Sequence, residues 1–218
     1  MKKFLLLTAA VLLSCTGFAA EKPASTLAQK ARVYVRYILK NLEKGQSNKN
    51  LRIIDKNCLV NGKDNFYNLN LALAMASDGL AKKDFMQSIK AFYLMKNKKI
   101  SAEQQKKLAA LKGTEQEKAF FTKLESGLKM LQDKFAAVNK EMKFAAVLNS
   151  GNTYYVVTSH NNEANIYTLR RLKKSFKLVA MRDVPAADWK KLQPITLNSI
   201  KNYLNNDSSK NIEDDLEI

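Results

Sequence analysis

The chain reads as an α+β protein: a helical N-terminal two-thirds followed by a four-stranded antiparallel meander and a C-terminal helix. Three observations predict this. From Leu27 to Met142 apolar residues recur at spacings of three and four, the period of amphipathic helices. Between residues 143 and 182 the pattern shortens into runs rich in branched and aromatic residues, separated by short polar breaks, as strands require. Past Pro185 the helical spacing returns in Leu197, Ile200, Tyr203 and Leu204. The predicted organisation is a leader over 1–19, a helical region over 20–142, the meander with its closing helix over 143–206, and an acidic tail over 207–218 that is expected to be disordered.

Lys2 and Lys3 followed by Phe4 to Leu13, interrupted only by Thr8, form the charged start and short apolar run of a bacterial secretory signal. A membrane span needs about 20 apolar residues, and neither this run nor any later stretch is long enough. Export to the periplasm or the medium is therefore expected, with no transmembrane span in the mature chain. Two endings stay open. Gly17-Phe18-Ala19 offers the small residues that favour a cut before Ala20. Leu12-Leu13-Ser14-Cys15 resembles the lipobox of bacterial lipoproteins, which implies a lipid on Cys15 and anchoring through its acyl chains.

The first helix is predicted over 27–44, opened by a Thr26/Gln29 capping box, with Leu27, Ala31, Tyr34, Ile38 and Leu42 inward and Gly45 as its stop. Residues 46–63 read as a linker carrying at most a short hairpin at Asn61-Gly62. A second helix runs from Asp64 to about Ser77 with Phe66, Leu69, Leu73 and Ala76 inward, and Gly79 loosens the pattern. A third reaches Asn97, with Phe85, Ile89, Phe92 and either Met95 or Tyr93 toward the core. Ser101 and Gln104 cap a short helix ending before Gly113, and Thr114 with Glu117 opens a long one to Met142. Its stripe of Phe121, Leu124, Leu128, Leu131, Phe135, Val138 and Met142 holds a seven-residue repeat. The flanking Glu125, Gly127, Gln132, Lys134, Asn139 and Glu141 do not pair in charge as a coiled coil would, which favours packing within the domain over a dimer seam. The strands are "KFAAVL", "TYYVVTS", "ANIYTLRRL" and "FKLVAMR".

Two stretches resemble known families. Residues 64–98, ending "GLAKKDFMQSIKAFYLM", resemble a single tetratricopeptide-like helical hairpin, with Asp84-Phe85 at the turn and Ser88 and Phe92 at the small and aromatic positions. One such unit cannot bury its own apolar face, so the resemblance implies a hairpin and not a solenoid. Residues 143–182, closing on "ANIYTLRRLKKSFKLVAMRD", resemble the last hairpin of nuclear-transport-factor-2-like (cone-shaped α+β) exported domains, which implies a concave pocket between helices and sheet and transfers no functional residue.

The 218 residues carry a net charge of +17, or +15 once Lys2 and Lys3 leave with the leader. In the tail Asp207, Glu213, Asp214, Asp215 and Glu217 oppose Lys210 alone. Such a balance suits anionic envelope components. The candidate contacts are Arg32, Arg36, Lys40 and Lys44, at steps of four on the first helix, and Arg170, Arg171, Lys173 and Lys174 around a basic turn. Both groups also suit ordinary solvated faces. Export and the lack of RNP, zinc-finger or helix-turn-helix patterns argue against nucleic acid.

Little in the chain marks catalysis. His160, the only histidine, lies in "SHNNE", a hairpin turn without a carboxylate or cysteine cluster at ligand spacing. Ser126-Gly127-Leu128-Lys129 matches S-x-x-K and Ser159-His160-Asn161 matches S-x-N, but Ser126 falls mid-helix opposite the apolar stripe and no K-T-G follows. Phosphate-cradling glycine motifs are absent from the chain, which has seven glycines. Cys58, beside Leu59 and Val60, reads as a buried inert thiol. No catalytic residue, metal or cofactor is assigned. The leading expectation is an exported, non-enzymatic binding or scaffolding module whose partner is an anionic envelope component or another envelope protein. The alternatives are a hydrolase-like enzyme with its site in a helix–sheet cleft, and an anionic-polymer or anionic-lipid binder acting through the basic surface.

Overall fold

The computed structural model describes residues 26–96 and 98–213, with side chains as far as residue 206. Cys15, the cut before Ala20 and the end of the acidic tail lie outside the described residues.

Helix α1 (Thr26–Glu43) buries Ala31, Ile38 and Leu42, as its spacing predicts, together with Val35 and Leu39, while Leu27 and Tyr34 pack only partly buried against the same core. A short helix α2 (Ser47–Asn50) leads into strand β1 (Ile54–Val60) and the two-residue strand β2 (Asp64–Asn65). Asn61 and Gly62 both take positive φ, 53° and 73°, so the Asn-Gly pair does turn the chain back in a hairpin. Helix α3 (Phe66–Lys82) is capped by Asn65, whose side chain accepts from the Asn68 N–H at 2.8 Å. It runs past Gly79, and that glycine has a packing reason: a Cβ there would collide with Ser88 Oγ and crowd the Asp84 carbonyl at 3.1 Å. Helix α4 (Phe85–Met95), capped by Asp84, folds back on α3 as a helical hairpin.

Both halves of the predicted box at Ser101 form at the start of α5 (Ala102–Ala109). The box at Thr114 does not. Thr114 Oγ1 donates to the Leu111 carbonyl at 2.6 Å, while Glu117 accepts from the Gly113 N–H at 2.6 Å, one residue earlier than a box requires. Helix α6 (Glu115–Glu141) is the longest element. Strands β3 (Lys143–Ser150), β4 (Thr153–His160), β5 (Glu163–Arg171) and β6 (Phe176–Val184) follow, then α7 (Ala186–Lys191) and α8 (Leu197–Glu213). The backbone of α8 thus continues into the stretch expected as a tail.

The sheet corrects the expected meander. It has six strands in the order β2-β1-β6-β5-β4-β3, and it is mixed. Strands β3 to β6 pair antiparallel in sequence, as their short loops require, but β1 joins the free edge of β6 in parallel, with Ile54 opposite Leu178. The physical reason lies in residues 46–63: the "linker" buries Ile54 and Cys58 completely, and the backbone of a strand so placed needs a ladder partner. Parallel pairing needs a long crossover, and here helices α3 to α6 with strands β3 to β5 supply it. Asn61 clamps the hairpin onto β6, donating to Asp183 Oδ2 and accepting from the Asp183 N–H, both at 2.8 Å.

Alternate strand residues feed two cores, as the pleat requires. On one face Tyr154, Val156, Tyr167 and Leu169 join α1, α3 and the second half of α6. On the other Val157, Ile166 and Val184 pack against Leu192 and Ile200 from the C-terminal helices. Helices and sheet therefore share their core. A buried polar chain ties α1 to α2 and α3: Asn41 Nδ2 donates to Asn50 Oδ1 at 2.8 Å, and Asn50 Nδ2 to Asn70 Oδ1 at 2.9 Å. Among the described residues no helix is long and apolar enough to cross a membrane.

Candidate apolar binding groove

The core is well filled where helices meet sheet, and incompletely covered where helices meet one another. Although α6 carries the continuous apolar stripe, none of its residues is fully buried. In its second half Leu128, Leu131 and Phe135 lean on the main core, and Asn139 Nδ2 donates to Glu43 Oε2 of α1 at 2.8 Å. Beyond the contact of Phe85 with Phe120 and Phe121, an open groove of about 570 Å³ lies between α4 and the middle of α6.

Ile89 and Phe92 of α4 form one wall, Leu124, Gly127 and Met130 of α6 the other, and Leu73 of α3 also lines it. Phe85, stacked edge-on against Phe120 at 5.3 Å and Phe121 at 6.2 Å, joins the two walls. Phe92, expected in the core, is 42% exposed and Met130 54%. The helical period assigns Phe92 to the apolar face of α4, but that face looks into the groove, and among the described residues no other segment covers it. The one charged lining residue is Lys123. The ammonium of Lys96 lies 4.6 Å from the centre of the Phe92 ring and so stands beside the same wall.

Gly127 distinguishes this groove from an ordinary packing gap. Mid-helix glycine costs about 0.5–1 kcal/mol relative to alanine, so it usually answers to a need for close approach or unusual dihedrals. Gly79 has such a need. Gly127 lies in the body of α6, and a Cβ placed on it would meet nothing within 4 Å. Nothing in the described fold uses the space that its missing side chain leaves.

The basic residues singled out from the sequence do not converge. Arg32 and Arg36 hold their guanidinium carbons 5.8 and 5.2 Å from the Phe144 ring centre, in a recess also lined by Gln29 and Val33. Lys40 and Lys44 continue along the exposed side of α1. Phe144 is in register with Thr158 on β4, whereas Arg170 is in register with Thr153, so the two groups sit at opposite ends of the strands, roughly 17 Å apart along β4. Arg170 pairs with Asp55 at 3.4 Å, while Arg171, Lys173 and Lys174 are exposed around the β5–β6 turn.

The remaining candidates lie outside the groove. His160 Nε2 bonds Glu141 Oε2 at 2.9 Å where β4 ends beside the C-terminus of α6. Ser126 is exposed on α6. Cys58 is fully buried, and burial first, then the nearby Asp55 carboxylate, pushes its thiol up to about 12. Tyr167 is raised above the usual phenol range, chiefly by burial. Among the described residues no three His, Cys, Asp or Glu side chains gather as a metal site would. Sequence reasoning named the stripe on α6 and the apolar face of α4 but missed the open groove between them, and the residue that marks the place is Gly127.

No family model, curated protein or solved structure matches the chain.

Proposed function

We propose that this is an exported envelope protein without catalytic chemistry, a binding module that takes an apolar ligand between α4 and α6. The observation that carries the reading is Gly127: a destabilising residue whose missing side chain meets nothing among the described residues, on the wall of an apolar groove where Phe92 and Met130 are exposed. Exposed aromatic and thioether surface of this kind marks binding sites. The groove's volume falls within the ~300–1,000 Å³ of small-molecule pockets.

Export rests on the leader, with cleavage before Ala20 as the reading carried here. An intact mass starting at Ala20 supports it, and a diacylglyceryl adduct on Cys15 replaces it with a membrane-anchored form of the same module.

The groove itself is tested with a neutral fluorophore, N-phenyl-1-naphthylamine. The wild type is expected to bind it saturably, and Gly127→Phe, whose ring would enter the groove from α6, to weaken binding at least about tenfold, roughly 1.4 kcal/mol. Circular dichroism establishes that the variant is folded, and Gly127→Leu serves as a second, smaller plug. Equal binding by wild type and both folded variants contradicts the proposal.

A further inference from the structure

The walls of the groove are apolar, yet its surroundings are not neutral. From Phe85 to Ser101 the chain carries Lys90, Lys96, Lys98 and Lys99 and no acidic residue. Lys96 holds its ammonium against Phe92, and Lys123 comes from the opposite helix. A ligand lying in the groove therefore meets hydrocarbon along its length and ammonium groups on both walls. We infer that the groove between α4 and α6 binds a single-chain anionic amphiphile, an acyl chain carrying one carboxylate or phosphate head, with the chain along Gly127 and the head between Lys96 and Lys123.

The inference rests on the groove being a binding site and adds the chemistry of its occupant. An acyl chain needs no hydrogen-bond partner, which suits walls that offer almost none, and the space beside Gly127 is open. Lysine suits the head because its ammonium reaches the mouth on a flexible apolar stem that can itself cover the chain. A second copy of this face fits poorly, since it would bring Lys90, Lys96, Lys98 and Lys99 of one copy toward those of the other.

Displacement of N-phenyl-1-naphthylamine by three ligands built on a twelve-carbon chain, with an anionic, a neutral and a cationic head, separates the outcomes. Dodecanoate is expected to displace at least tenfold more strongly than dodecanol, and dodecyltrimethylammonium most weakly. Butyrate, a head with almost no chain, is expected not to compete. Lys96→Gln combined with Lys123→Gln, both exposed positions, should bring dodecanoate down to dodecanol, each competition being measured against the variant's own affinity for the fluorophore. The preference should also shrink as salt rises. If the wild type binds no fluorophore, the groove reading itself fails. If the fluorophore binds but the acid and alcohol compete equally, or the preference survives in the double variant, the anionic head is refuted and the groove stands. Dodecanoate binding that ignores Gly127→Phe would place the ligand elsewhere and overturn the inference. A concentration-dependent doubling of mass that excludes the fluorophore and disappears in Gly127→Phe would assign the groove to a second copy and overturn it equally.

Discussion

Three residues show how single positions carry this account. Gly127→Ala should raise stability by about 0.5–1 kcal/mol, because it relieves the glycine penalty in α6 and its methyl meets no atom of the fold; urea titration measures this, and a loss of stability would mean that the position is packed after all. Cys58 makes a prediction in pH. Its folded-state pKa is raised from 9 to about 12, so the folded protein keeps a proton that the unfolded chain releases. The resulting stability is whole below pH 9 and is lost as pH rises from 9 toward 12, by at most about 1.4 kcal/mol per pH unit. Tyr167 is raised likewise and adds to the loss at higher pH. Urea midpoints of wild type and Cys58→Ala between pH 8 and 11 should show a shallower decline in the variant, and parallel curves would refute the assignment. Asn50 is the third: it accepts from Asn41 and donates to Asn70 inside the core, so Asn50→Ala should cost about 2–4 kcal/mol by stranding both partners.

At the level of elements, what was legible followed from local chemistry. The inward face of α1, the Ser101 capping box, the span of α6 and four strands with tight loops all depend on neighbours within a few residues. Strand β1 did not, because Asp55, Lys56 and Asn57 interrupt its apolar pattern and its partner β6 lies beyond the whole helical region. Pairing between such distant segments leaves no periodic trace. Ile54→Ala should destabilise by about 2–5 kcal/mol, the cost of emptying a fully buried site. A change below about 0.5 kcal/mol would make β1 a peripheral strap and not part of the sheet's core. The groove was half legible for a related reason. Periodicity assigns apolar faces to α4 and α6, but it carries no information about whether two such faces meet or splay apart.

On the scale of the whole molecule, the sheet is the frame and the groove an opening at its helical end. Both sheet faces are occupied, one by α1 and α3 with the second half of α6, the other by the C-terminal helices, which fills the helix–sheet space with core. A ligand that stays in the groove therefore leaves the sheet undisturbed. The methionines report on this directly, since Met95 and Met130 line the groove, Met142 is buried in the main core and Met181 lies on β6. With methyl-labelled methionine, dodecanoate titrated into the wild type should move the resonances of Met95 and Met130 saturably and leave Met142 and Met181 in place. An unchanged spectrum, or shifts spread evenly over all the methionine methyls, would contradict the claim that the groove between α4 and α6 is the binding site.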